Sequence, residues 1–223
     1  MAPGGGLSGP VEGALYMTAA SLGFTFMSIA IREASGELDP LQIAFLRNFF
    51  ASLVMLPWLA GAGLSALRTE RGKLYIARSL VGLVGMLCWI TSLALLPLAD
   101  AVALNFTVTQ LATVGAALSL GETVRARRWS ATAVGFLGVL VILRPGFADF
   151  ALLSLLPVVA AVFMASSVLI VKALSRTEQP AAVVLYMNIM LTPLSLVPAL
   201  FVWTWPSWYA LGLTVFIGGM AAI

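Results

Sequence analysis

Histidine is absent from this chain, cysteine occurs once, and charge is scarce: only 9% of the 223 residues are Asp, Glu, Lys or Arg. Without histidine there is no imidazole proton relay, no histidine-ligated zinc and no Ser-His nucleophile. The lone Cys88 lies inside a long apolar run, so the chain forms no internal disulfide and offers no metal-ligand cluster. None of the nine acidic residues falls in the middle of an apolar run. A membrane-embedded enzyme would need acid, base or nucleophile at one depth, and these are missing. The same absence leaves these runs without a buried carboxylate that could take up and release protons at membrane depth. Nothing in the sequence calls for a cofactor or a metal. A soluble domain carries about 25% charged residues; with 61% hydrophobic residues and a mean hydropathy of +1.04, this chain has lipid as its solvent.

What is present in quantity is apolar sequence, in eight runs over about 12–31, 40–60, 74–96, 100–120, 130–147, 151–171, 181–203 and 207–223. The first seven approach the ~20 residues that a helix needs to cross a bilayer. In lipid only helices or closed barrels satisfy the backbone, and these runs are too long and uniform for barrel strands. The fold class expected is therefore all-α, a polytopic membrane helical bundle. Positive charge alternates between the gaps. Arg68, Arg71, Lys73, Arg78, Arg125, Arg127, Arg128, Lys172 and Arg176 lie at one set of gaps, and only Arg32 and Arg144 at the other. Nine against two places the N-terminus of this multi-pass membrane protein in the cytoplasm, and the location expected is the inner (plasma) membrane. The basic residues thus set topology, which leaves no reason to invoke nucleic acid. The partners expected are the lipid bilayer and a small-molecule solute, with oligomeric state left open. Residues 1–11 lack a positive n-region and read as a disordered tail rather than a cleaved signal.

Two stretches of the chain echo one another. Pro40, Asn48 and Ser52 recur as Pro180, Asn188 and Thr192, each 140 residues later, and Arg32 recurs as Lys172 at the same offset. Phe26-Met27 recurs as Phe163-Met164 at 137. If span six restarts span one, the unit is five helices, and an odd unit sets its second copy upside down. The domains expected are a first five-helix repeat over 12–147 and a partial second repeat over 148–223, holding helices six to eight. Such two five-helix inverted repeats, the second truncated here, are a transporter architecture with the solute near the midplane.

Over Arg78–Gly146 the resemblance becomes specific. Arg78-Ser-Leu-Val-Gly-Leu-Val-Gly-Met86, Leu95-Leu-Pro-Leu-Ala-Asp-Ala101, Leu120-Gly-Glu122, Arg128-Trp129 and Val134-Gly-Phe-Leu-Gly-Val-Leu-Val-Ile-Leu-Arg-Pro-Gly146 resemble the EamA-like branch of the drug/metabolite transporter superfamily. That resemblance implies ten helices in two inverted repeats and a carrier of small polar metabolites. It further implies efflux of amino acids or related solutes by alternating access, with a membrane-embedded enzyme or a non-transporting scaffold as alternatives. One departure stands out: where members show Phe-Thr-x-Pro in the fourth helix, this chain has Phe106-Thr107-Val108-Thr109. Without proline, a kink there loses its usual cause.

Polar residues at membrane depth are the candidate substrate contacts. Arg47 lies seven residues past Pro40, roughly 10 Å into its helix at ~1.5 Å per residue. It either snorkels to the headgroups or faces a cavity, where its fork would hold a carboxylate or phosphate. Asn105, Thr109, Gln110 and Thr113 form a polar stripe that lines a pathway or joins helices. Trp89 is too deep for an interfacial belt, so it is packing or an aromatic cavity wall. Gly82 and Gly85, on the same face, read as points of close helix approach. Asn188 mirrors Asn48, which puts both at the repeat interface, and Tyr186 mirrors Leu46 beside Arg47. Thr18, Ser21, Thr25 and Ser28 read as a packing seam. The site expected therefore comprises Arg47, Asn48, Trp89, Asn105, Thr109, Gln110, Tyr186 and Asn188, with no catalytic residue and no metal.

Overall fold

The structure is a computed structural model that describes residues 9–62, 69, 71–119, 126–143 and 152–222. Every regular element among the described residues is helical. In chain order these are α1 (Gly9–Ala34), α2 (Pro40–Ala62), α3 (Gly72–Leu95), α4 (Leu98–Asn105), α5 (Thr107–Ser119), α6 (Ala126–Leu143), a 3₁₀ turn (Leu152–Leu155), α7 (Leu156–Leu174), α8 (Pro180–Leu200) and α9 (Trp208–Ala222). Among the described residues six helical stretches are long and apolar enough to cross a membrane, and Trp129–Val141 and Trp208–Ala222 are shorter apolar helices. Helix α1 starts at Gly9, inside the tail expected over 1–11; residues 1–8 lie outside the described set. The loop holding Gly121, Glu122 and Arg125 also lies outside it.

The run expected as one helix over 100–120 is two, separated at Phe106. The break occurs without proline. The Phe106 N–H donates back to the carbonyls of Ala103 and Leu104 rather than continuing the regular ladder. Neighbouring threonines add side-chain bonds at the break: the Thr107 hydroxyl donates to Leu104 O (2.6 Å) and the Thr109 hydroxyl to Phe106 O (2.9 Å). Side-chain bonds of this kind compete with the helical ladder and satisfy backbone groups that lipid cannot.

The turn from α1 into α2 and the turn from α7 into α8 share most of their bonds, with the matching partners shifted by 140 residues. Ser35 and Ser175 each direct N–H and hydroxyl to the carbonyl four residues back, Ile31 and Val171. Leu38 N–H to Ala34 O is matched by Glu178 N–H to Leu174 O, and Ile43 to Asp39 by Val183 to Gln179. Packing follows the same pairing. Helix α2 lies against α8, α3 against α7, and α1 against α9, with α2 also against α9 and α3 against α8. The main apolar core joins α1, α2, α3 and α9 through fully buried Ile31, Ile43, Leu93 and Ile217. Glycines set two of these contacts. A Cβ on Gly85 would come within 3.1 Å of Phe163 Cβ in α7, and one on Gly218 would lie 2.5 Å from Phe50 Cβ and 3.0 Å from Arg47 O in α2.

Polar bonds tie one end of the bundle together. One terminal nitrogen of Arg32, at the end of α1, lies 2.7–2.8 Å from the carbonyls of Leu93, Ala94 and Leu96, capping α3 where its unpaired carbonyls gather negative charge. Fully buried Gln42 brackets Thr204: its amide donates to Thr204 O (2.6 Å) and its oxygen accepts from Thr204 N–H and hydroxyl (3.1 Å each). Glu37 accepts from Ser207 N–H (2.6 Å) and hydroxyl (2.7 Å), while Ser207 Oγ caps α9 by accepting from Ala210 N–H (3.1 Å). These two Ser207 donors, the hydroxyl first, hold the Glu37 carboxyl below the usual carboxylate range.

Candidate functional site: a two-arginine cavity

Between α1, α2, α3, α5, α7 and α8 lies a cavity of about 260 Å³. Its charged groups come from two helices, Arg47 of α2 and Arg78 of α3. One wall is aromatic, with Phe24 stacked on Trp89 at 5.7 Å between centroids and 17° between planes. Met27, Met86, Met164 and Met187 supply much of the rest, a flexible, polarizable lining suited to aromatic faces.

The two guanidinium groups are held by unusual partners. Arg47 donates to Asn48 Oδ1 (3.0 Å) and to Met86 Sδ (3.1 Å). Arg78 donates to Met187 Sδ (2.8 Å), and its Nε is buried without a partner. Thioether sulfur is a weak acceptor, and among the described residues neither arginine meets a carboxylate. Gly82 makes the arrangement possible: a Cβ there would run into the Arg78 guanidinium, which folds over it. Gly82 is therefore room for a side chain of its own helix, whereas Gly85 does serve close helix approach.

Of the expected contacts, Arg47 and Trp89 form part of the cavity wall. Asn48 stands just behind, fully buried, donating to Met86 Sδ (3.5 Å) and Ser195 Oγ (3.2 Å) while it orients Arg47. Asn188 is equally buried, both its amide atoms unpartnered, and is not part of the wall. Asn105, Thr109, Gln110 and Tyr186 are likewise outside the wall. The stripe faces away from the wall, to which α5 contributes Val108. Gln110 packs on Gly135 of α6, Thr113 bonds Thr109 O (2.9 Å), and Thr109 is exposed. Tyr186 instead packs on Tyr75, rings 4.5 Å apart, in a small cluster with Leu174 and Val183. The α1 seam is buried only at Ser28; Thr18, Ser21 and Thr25 are exposed, each hydroxyl bonded to the carbonyl four residues back.

Arg78 is the residue that sequence reasoning missed, since its charge was assigned to topology. The available signal was its helical phase: Arg78, Gly82, Gly85 and Trp89 share one face of α3. Between α2 and α8 the echoed pair meets directly, Ser52 Oγ and Thr192 Oγ1 being 3.2 Å apart. Each hydroxyl also lies within bonding distance of the carbonyl four residues back, Asn48 O (2.9 Å) and Asn188 O (2.7 Å).

A bundle of membrane-length helices around a buried, cation-lined cavity is the form of a small-molecule transporter. Residues 11–144 match the model of the EamA-like transporter family, and the chain belongs to that family. It is 37% identical to a riboflavin transporter of Vibrio cholerae serotype O1 over 202 residues, 89% of this chain and 68% of that protein. An S-adenosylmethionine uptake transporter of Rickettsia prowazekii is 32% identical over 82% of this chain and 62% of its own length. The pseudopaline exporter CntI of Pseudomonas aeruginosa is 28% identical, over 78% and 62%. The chain thus spans about two thirds of the length of the relatives it matches. A solved crystal structure superimposes with a TM-score of 0.64 at 19% identity, covering 92% of this chain and 76% of its own, so the fold is shared. The chain is a multi-pass membrane protein of a transporter family and not an enzyme.

Proposed function

We propose that the protein carries a small polar metabolite across the inner membrane by alternating access, and that the cavity between α1, α2, α3, α5, α7 and α8 is where the solute sits. The observation that carries this reading is the pair of half-buried arginines turned into a cavity at membrane depth and held, among the described residues, by an amide and thioethers. A charge in lipid costs about 2.5–3.5 kcal/mol on insertion scales, and function is the usual reason it persists there. Asn48 positions Arg47, so Arg47, Asn48 and Trp89 are the proposed contacts from the sequence, joined by Arg78. Asn188 belongs to the α2–α8 interface, where two five-helix repeats of opposite topology would rock about the Ser52–Thr192 contact. The repeated turn and the paired helix packing support that view. The nine basic residues at alternate gaps favour a cytoplasmic N-terminus.

Amino acids exported from the cell remain one solute class and direction. The arginines would hold the carboxylate, but the wall provides no carboxylate for the ammonium. The names of the relatives include uptake as well as export and widen the assay to riboflavin and S-adenosylmethionine. Counterflow in proteoliposomes, run with those two solutes and an amino-acid panel, tests the proposal. At least one should exchange, and Arg47→Ala should slow it ~10-fold or more, the cost of a lost charged hydrogen bond, with folded yield unchanged. An Arg47→Ala protein that exchanges solute at the unmodified rate would contradict the assigned role.

A further inference from the structure

We infer that the solute taken by this cavity is an organic anion with a flat ring, a statement that rests on the carrier reading and narrows it. The inference follows from hydrogen-bond bookkeeping within the wall. Arg47 and Arg78 offer donors only. Trp89 Nε1 is a donor only, buried and unpartnered, on a residue 4% exposed. Arg78 Nε is buried and unpartnered as well, and Ser167 Oγ, on another residue 4% exposed, is in the same state. All four residues line the one cavity. Against these donors the wall sets one hydroxyl oxygen and the sulfurs of four methionines, none of them a strong acceptor apart from the hydroxyl.

Buried donors without acceptors are costly, and buried positive charges without counter-charge more so. Water fills part of that need when the cavity is hydrated. A ligand that replaces the water must bring acceptors and negative charge of its own, or binding leaves the guanidinium groups stripped. A carboxylate or phosphate does this with the paired geometry that a guanidinium fork matches. A neutral solute supplies acceptors without charge. A cation is repelled, and a zwitterion leaves its ammonium facing two arginines. The rest of the wall fits a ring: the stacked Phe24–Trp89 pair presents aromatic surface, and thioether side chains adapt to aromatic edges. The volume of about 260 Å³ suits a single-ring acid in this conformation.

Matched ligands with one ring and different charge test this: nicotinate against nicotinamide, 4-hydroxybenzoate against 4-hydroxybenzamide, with tyrosine and tyramine as zwitterion and cation. Binding to the purified protein in detergent is read by calorimetry. The acids should bind at least ~10-fold tighter than their amides, as expected for gaining a charge-assisted hydrogen bond. Arg78→Gln should remove that preference, and Arg78→Lys should keep part of it, separating loss of charge from loss of fold. Amides or tyramine binding as tightly as the acids would overturn the inference, and so would a panel in which no acid binds. Flux in liposomes separates this from the carrier reading. Selective acid binding with no flux of any solute refutes the carrier and leaves the anion site standing. Flux of a neutral or cationic solute without acid binding does the reverse.

Discussion

Gly82 is the most economical place to disturb the site, because it carries no chemistry and yet controls where Arg78 lies. Any side chain at Gly82 meets the Arg78 guanidinium, whose bond to Met187 Sδ holds it in the cavity. Gly82→Leu should therefore displace Arg78 and weaken solute binding ~10-fold or more, the effect of losing one charged hydrogen bond. The helix should be preserved, since leucine is the better helix former. Calorimetry on the variant beside Arg78→Gln checks it: matching losses support displacement, and undiminished binding contradicts it. At this scale the sequence was legible in part. Arg47 and Trp89 could be chosen because polar or bulky aromatic side chains at mid-span are conspicuous. Arg78 was passed over, because a basic residue six positions into a helix also reads as a topology signal, although it shares a face of α3 with Gly82 and Trp89. The packing of α3 on α7 and α8 turns that face inward.

Among the elements, α9 and the broken α4–α5 pair carry the sharpest expectations. Gly218 lets α9 approach the backbone of α2 at Arg47 and Ala51. Gly218→Val should cost about 1–3 kcal/mol through overpacking and lower the melting midpoint in detergent; an unchanged midpoint would show that the helices part without cost. The loop end of α9 depends on Glu37. Its carboxyl pKa is depressed by Ser207, so the stabilisation is present above the ordinary glutamate pKa and is lost as pH falls through the depressed folded value. Glu37→Ala should lower the melting midpoint at pH 7, and the gap from the unmodified protein should close below pH ~4. A gap that persists at low pH would assign the effect to something other than this charge. Helix existence and most boundaries were readable, because apolar length in lipid leaves the backbone little choice. The break at Phe106 was not. It coincides with threonine hydroxyls bonded to the Leu104 and Phe106 carbonyls, where the familiar signal would have been a proline. Asn105 and Gln110, sound choices for an unbroken helix, lie outside the cavity wall.

For the whole molecule, the 140-residue echo was the most informative feature of the sequence, and one of the pairs it links, Ser52 and Thr192, lies in contact between α2 and α8. What it could not supply was the cavity's chemistry, which depends on which residues several helices turn toward one space. The proposed carrier would expose that space to each side of the membrane in turn. Met187 lines the cavity from α8 and bonds Arg78, so a cysteine there reports access directly. In a Cys88→Ser background, Met187→Cys should react with a membrane-impermeant maleimide in both right-side-out and inside-out vesicles. Saturating solute should alter the two rates in opposite directions. Reaction from one face only, or rates that solute leaves unchanged, would contradict alternating access through this cavity.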